Sequence, residues 1–319
     1  MDKFVVTGGA GLIGSWVIDH ILKDKSFKVK EIVVMDTLIR GKTDNLKNAL
    51  KSRKVRIVKE DIRDFNAVNK VIKGADYVIH EAVIKNKLCE ENPRYCKEVL
   101  IDGTFNIFEA CVKSGVKKLI FNSSASVYGE PEVLPMKENH PFNNNAFYGA
   151  AKIAEEELVK AFRNRYGLNY VGLRPFNAYG PRMDVSGVYT EVLMKWLQKL
   201  EAGEAPVIFG DGSQTFDFVY VEDIAIATIK ALKSKRNEGF YNIGTGKETS
   251  LKKLLNLFLK AYGTTIKPVY VSGEGKLGFV SRRRADTSKA RKELNFMAKT
   301  PLELGIKKLV QWYKETKHE

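Results

Sequence analysis

Tyr148 and Lys152 stand four residues apart in Tyr148-Gly149-Ala150-Ala151-Lys152. On a helix the two side chains share a face and lie about 6 Å apart. An ammonium beside a phenol favours the phenolate and lowers the phenol's pKa. Such a phenol can act as a general base on a sugar hydroxyl. Upstream, Phe121-Asn122-Ser123-Ser124-Ala125-Ser126-Val127-Tyr128-Gly129 reads as a strand ending in hydroxyls, one of which can bond the same substrate oxygen. A Tyr/Lys pair alone is weak, because such pairs are common on helix surfaces. Its weight comes from what precedes it in the chain.

What precedes it is Thr7-Gly8-Gly9-Ala10-Gly11-Leu12-Ile13-Gly14, which follows a strand and opens a helix. Gly8, Gly11 and Gly14 let the backbone turn sharply and approach a pyrophosphate, whose charge sits at the helix N-terminus. The next strand ends in Asp36, 22 residues past Gly14. An acid there accepts hydrogen bonds from ribose hydroxyls and repels a 2′-phosphate, which favours NAD over NADP. Arg40 lies near enough in sequence to weaken that preference. After the third strand comes Glu60-Asp61-Ile62-Arg63-Asp64, where an acid can reach the adenine amino group. A helix N-cap is the competing role for Asp61 or Asp64.

The elements that must position these groups alternate through the first 175 residues. Strands are predicted over Lys3–Thr7, Glu31–Met35, Arg56–Lys59, Tyr77–His80, Lys118–Ser123 and Tyr170–Leu173, and helices over Leu12–Lys23, Asn66–Lys73, Pro93–Ser114 and Tyr148–Tyr166. Short runs, apolar on both faces and separated by helices, give a doubly wound α/β fold with a parallel sheet. After Arg174 prolines and glycines interrupt shorter, Lys-rich elements. Residues 1–175 are thus expected to bind the dinucleotide, and 176–319 to form a smaller substrate lobe interleaved with late strands of the sheet.

Composition narrows the class. The 319 residues are 44% hydrophobic and 29% charged, which excludes collagen, a disordered tail and a coiled coil. No apolar run reaches the roughly 18 residues of a membrane span, and no apolar leader is read ahead of the first strand, so a cytoplasmic protein is expected. The three cysteines, Cys89, Cys96 and Cys111, are too few and too irregular for a disulfide framework and are expected to be reduced thiols. The four histidines have no metal-ligand spacing. The net charge of +15 is spread along the chain without a basic tail, and fits a solvated Lys-rich surface better than a nucleic-acid site.

Taken together, the motifs resemble the extended short-chain dehydrogenases/reductases, in the NAD-dependent sugar-nucleotide epimerase/dehydratase group. The resemblance covers nearly the whole chain: Thr7–Gly14, Asp61–Asp64, Ser123–Gly129, Tyr148–Lys152, Leu173–Arg182, Phe218–Ala225 and Ala285–Phe296. It implies a Rossmann sheet with a C-terminal nucleotide-sugar lobe. It also implies a catalytic set of Ser124, Tyr148 and Lys152, with Asn177 and Ser124 on the substrate. The cofactor contacts it implies are Gly8, Gly11, Leu12, Ile13, Gly14, Asp36, Asp61, Ile62, Ala82, Lys85 and Phe176. Members that dehydrate or decarboxylate carry acids just after the strand-end hydroxyl, where this chain has Ala125 and Ser126. Reversible oxidation at C4 remains, and with it 4-epimerisation of a nucleotide sugar, a UDP-hexose by resemblance. The alternatives are another nucleotide-sugar isomerase, dehydrogenase or dehydratase, or a non-catalytic NAD-binding regulator.

Departures from the family pattern are Asp102 in Leu100-Ile101-Asp102-Gly103-Thr104, Glu81 after the fourth strand, and Phe216 where relatives place an Arg on the substrate diphosphate. Arg283, in Arg282-Arg283-Arg284, falls where the family flanks the sugar. It is expected to replace the lost cation or to meet an acidic sugar. The resemblance further implies a homodimer through the helices of 93–114 and 148–166, which carry apolar residues on more than one face.

Overall fold

The computed structural model describes residues 1–185, 191–272 and 280–316. Its first half contains β1 (Asp2–Thr7), α1 (Leu12–Lys23), β2 (Val29–Met35), β3 (Val55–Val58), α2 (Phe65–Ile72), β4 (Tyr77–His80), α3 (Asn86–Glu91), α4 (Pro93–Cys96), α5 (Thr104–Lys113), β5 (Lys118–Asn122), α6 (Phe147–Tyr166) and β6 (Tyr170–Pro175). The second half contains β7 (Asn177–Tyr179), α7 (Val192–Glu201), β8 (Val207–Phe209), β9 (Thr215–Phe216), β10 (Phe218–Tyr220), α8 (Val221–Lys233), β11 (Phe240–Ile243), β12 (Thr249–Ser250), α9 (Leu251–Tyr262), β13 (Val269–Val271), α10 (Ser288–Leu294) and α11 (Leu302–Thr316).

Seven strands form one parallel sheet in the order β11-β6-β5-β4-β1-β2-β3. The chain builds outward from β1 in one direction and then returns through β4 in the other. Between the carboxyl ends of these two strands a crevice opens, where ligands bind in such sheets. Apolar residues of α1 and α8, among them Val17, Ile21 and Ile224, cover one face with no exposed surface; Val68, Phe108 and Val159 of α2, α5 and α6 cover the other. A separate core around Trp196, Leu254, Phe258 and Leu309 joins α7, α9 and α11. Among the described residues no helix is long and apolar enough to cross a membrane, and no group of His, Cys, Asp and Glu could hold a metal.

Two expectations are corrected here. The predicted helix 93–114 is not uniform: α4 passes into a π-helical stretch, Lys97–Gly103, before α5. The wider coil seats Gly103 so close to Ile62 that a Cβ would fall 2.7 Å from its side chain. Cys89 and Cys96, expected as free thiols, are joined by a disulfide, while Cys111 is free and buried. The turn at Asn92 between α3 and α4 brings their Cα atoms to 4.7 Å, a proximity that a count of cysteines does not reveal.

Candidate active site

The Gly-rich turn is built at van der Waals contact. Gly8 has φ of +64°, and a Cβ there would lie 2.6 Å from the backbone nitrogen of Ala82 on the loop after β4. A Cβ at Gly14 would lie 2.7 Å from the carbonyl of Gly8. Helix α1 begins after Gly11 with no side-chain cap and no acid in its first turn, so its amide end faces the cleft uncovered. These are the features a pyrophosphate requires. Asp36, buried at the end of β2, accepts hydrogen bonds from Ala10 N at 3.0 Å and Leu38 N at 2.9 Å. Each carboxylate oxygen keeps a lone pair for a ribose hydroxyl. Arg40 lines the cleft but is paired with Asp184 at 3.1 Å, which weakens the argument for a 2′-phosphate that its position raised.

At the adenine end Asp64 caps α2 through Asn66 N and Ala67 N. Asp61 lines the cleft beside Ile62, tied to Arg63 at 2.8 Å. Lys85 lines the cleft with Ala82 and is paired with Glu191 at 2.9 Å. Thr7 and Thr104 hold His80 from both sides, at 2.6 and 3.0 Å. Burial and the charge of Lys152 push this imidazole down to about 3, so it stays neutral.

The cleft encloses about 490 Å³ and runs from this turn to Ser124, Tyr148, Asn177 and Arg283. Tyr148 lies in the first turn of α6, one turn before Lys152, whose Nζ is 6.0 Å from its ring centre. A Cβ at Gly149 would fall 2.7 Å from the carbonyl of Ser126. Only glycine lets α6 start so close to the strand-end loop, and this contact brings the Tyr148 phenol next to Ser124 in the lining of the cleft. The Ser124 hydroxyl in turn accepts from Ser126 N at 3.0 Å. Lys152 donates to the carbonyl of Asn122 at 3.0 Å and to Glu155 at 2.9 Å.

Behind this row a buried network fixes the elements. Arg174 of β6 holds both oxygens of Glu156 on α6 at 2.8 and 2.6 Å and donates to Tyr128 at 2.7 Å; Ser123 donates to Glu156 at 2.5 Å. Strands β5 and β6, helix α6 and the strand-end loop are therefore tied to one another.

The electrostatics correct one expectation. Burial raises the Tyr148 phenol above its ordinary pKa, with Glu155 and Glu191 adding to it, against Lys152 and Ser124. The helical spacing revealed the lysine but neither the desolvation nor the acids. Burial works against the charge of Lys152, yet Glu155, Tyr148 and Glu81 outweigh it and keep this ammonium above its usual value. Burial pushes Glu155 up to about 7 and Glu81 up to about 8. Glu81 accepts from the Asn122 amide at 2.5 Å. Sequence reasoning noted Glu81 only as a departure from pattern and missed Asn122 and Glu155; an acid three residues after Lys152 was the available signal for Glu155.

On the substrate side Phe176, Asn177, Phe218 and Arg283 line the cleft. The Asn177 side-chain oxygen is buried without a partner. Phe216 is outside the lining and packs edge-on against Phe218, ring centres 6.2 Å apart. Arg282 points away to Glu248, donating at 2.9 and 2.7 Å. Burial lowers the Arg283 guanidinium to about 10, so it remains charged at neutral pH.

The sequence matches the model of the NAD dependent epimerase/dehydratase family over residues 4–244. It is 38% identical over 315 residues to a putative UDP-glucose 4-epimerase of Methanocaldococcus jannaschii, covering 97% of this chain and 98% of that one. Among solved structures it is similar to UDP-N-acetylglucosamine 4-epimerase of Methanobrevibacter ruminantium M1 in complex with UDP-N-acetylmuramic acid, with a TM-score of 0.92, 33% identity and 99% of each chain covered. It is also similar to UDP-glucuronic acid 4-epimerase of Bacillus cereus in complex with UDP-glucuronic acid and NAD, with a TM-score of 0.90, 26% identity, and 98% and 99% covered. With the glycine turn, Asp36 and the Tyr148–Lys152 pair in place, the chain belongs to the NAD-dependent epimerase/dehydratase family.

Proposed function

We propose that Ser124, Tyr148 and Lys152 invert C4 of a UDP-hexose in this NAD-dependent nucleotide-sugar 4-epimerase. One observation carries the reading: the Tyr148 phenol next to Ser124 and backed by Lys152, with Ala125 and Ser126 also lining the cleft. Neither of those two side chains ionises at neutral pH, so no second acid/base group stands there for elimination of water.

NAD fits the cradle of Gly8, Gly11, Leu12, Ile13 and Gly14 at the pyrophosphate. Asp36 takes a ribose, Asp61 and Ile62 the adenine end, and Ala82, Lys85 and Phe176 the nicotinamide half. When bound, NAD supplies the hydride acceptor and a positive ring that adds to Lys152 in favouring the phenolate. Tyr148 takes the proton of the C4 hydroxyl as the C4 hydrogen leaves with its electron pair, and C4 becomes a ketone. Ser124 hydrogen-bonds the same oxygen throughout. The ketone has no configuration at C4; with its other face presented, a hydride returned to C4 would be met by the proton that Tyr148 gives back, leaving the inverted alcohol. Asn177 offers its unpartnered amide oxygen to the substrate.

A homodimer and a cytoplasmic setting belong to the same reading. Phe105 on α5 and Phe147 and Tyr166 on α6 are exposed apolar side chains on the two helices expected to pair with their twins. The test of the activity is direct: purified protein is denatured by heat, the released dinucleotide identified, and UDP-sugars followed by NMR. Bound NAD and interconversion of C4 epimers are expected; a product lacking water, or no turnover of any UDP-sugar, overturns the reading.

A further inference from the structure

We propose that Arg283 makes the enzyme selective for a nucleotide sugar bearing a carboxylate next to the reacting carbon, a UDP-hexuronate. This rests on the activity proposed above and specifies its substrate class.

The segment carrying Arg283 is clamped by its main chain. Arg283 N donates to Thr215 O at 2.9 Å, and Thr215 N donates to Ser281 O at 3.0 Å. On the other side Met136 N donates to Arg284 O, and Asp286 N to Met136 O, both at 2.8 Å. In an extended stretch alternate side chains face opposite ways. Arg282 accordingly reaches Glu248 outside, while Arg283 enters the cleft.

There, among the described residues, no ion pair holds it. The other cleft arginines, Arg40 and Arg182, are held by Asp184 and Asp19. Lys85 and Lys152 are held by Glu191 and Glu155. The Nε of Arg283 is buried and unpartnered. Glu130 is the carboxylate that acts on Arg283, but it is engaged by the backbone and hydroxyl of Ser281. A buried guanidinium nitrogen without a partner is costly, and a ligand carboxylate, which fits the guanidinium fork with two parallel hydrogen bonds, removes that cost.

Position selects the sugar over the diphosphate. Arg283 lines the same cleft as Tyr148 and lies near enough for that phenol to act on its guanidinium, so this cation sits at the reacting end. In a hexuronate the carboxylate is attached to C5, adjacent to the C4 whose hydroxyl faces Tyr148. The diphosphate is attached to C1, across the ring.

The test compares kcat/KM for UDP-glucuronate and UDP-glucose in the parent, Arg283→Ala, Arg283→Gln and Arg282→Ala, with bound NAD as the check on folding. The parent is expected to prefer the uronate. In both Arg283 variants the uronate-to-glucose ratio falls roughly 10–150-fold, the effect of losing a charge-assisted hydrogen bond, while Arg282→Ala keeps the parent ratio. A parent that prefers UDP-glucose, or a ratio unchanged in the Arg283 variants, overturns the assignment. Equal losses on both sugars also overturn it, since they place the cation on the shared diphosphate. In each of these cases turnover of UDP-glucose leaves the 4-epimerase reading intact; absence of turnover on every UDP-sugar is what defeats that reading.

Discussion

The ammonium of Lys152 lies 2.9 Å from the carboxylate of Glu155, and both side chains are essentially without solvent contact. The lysine that must favour the Tyr148 phenolate is therefore partly neutralised by an acid one turn further along the same helix. Replacing Glu155 by Gln keeps the shape and removes the negative charge that raises the phenol. The acid limb of the pH–rate profile is expected to move to lower pH in Glu155→Gln. A profile superimposable on the parent's would show that this pair does not set the strength of the base.

Tyr148→Phe removes the base and leaves the ring. Turnover is expected to slow by roughly two to four orders of magnitude, the usual contribution of a general base, with substrate affinity little changed. Stopped-flow or NMR turnover together with calorimetric binding separates the two quantities. Near-normal turnover contradicts the assigned role.

Glu81 should give stability a pH dependence of definite sign. Its folded pKa, about 8, is above the 4.5 of the unfolded chain. The folded state thus holds a proton that the unfolded state releases, and this stabilisation is complete below pH 4.5 and declines as pH rises through 8. Glu81→Gln cannot lose that proton. Its Tm is expected to match the parent at pH 4.5 and to exceed it at pH 8, as differential scanning calorimetry can measure.

Glu156→Ala leaves Arg174 buried with its bidentate partner gone. Breaking such a pair typically costs about 3–5 kcal/mol. Urea unfolding should register this as a lower midpoint, with loss of bound NAD following from the loosened β5, β6 and α6.

Gly8→Ala puts a methyl group 2.6 Å from Ala82 N in a left-handed conformation. The purified variant is expected to lose its dinucleotide. Retention of NAD at the parent's stoichiometry would remove the Gly-rich turn from the cofactor site.

The groups legible in the sequence are those whose partners are set by local geometry. The i, i+4 spacing of Tyr148 and Lys152, the glycine turn and Asp36 at a strand end each follow from one element and its neighbour. The first-half strands likewise lie within about two residues of expectation, because each is a short apolar run bounded by turns. What the sequence did not reveal depends on burial and on distant segments. Glu81 and Asn122 are 41 residues apart and meet only because β4 and β5 are adjacent in the sheet. The raised Tyr148 phenol and the π-helical stretch against Ile62 have the same origin in tertiary contact, whereas the Cys89–Cys96 link is closed by the local turn at Asn92.

The segment 281–286 is held by backbone bonds to Thr215 and Met136 and by the Asp217 carboxylate beneath Ala285. Side chains add Arg282 to Glu248 and Ser281 to Glu130, while the side chain of Arg283 carries none of this anchorage. Position 283 can therefore be substituted, by evolution or by engineering, without loosening the segment that carries it. On the proposal made above for Arg283, sugar preference rests on a side chain the backbone can exchange, and the chemistry on residues it cannot.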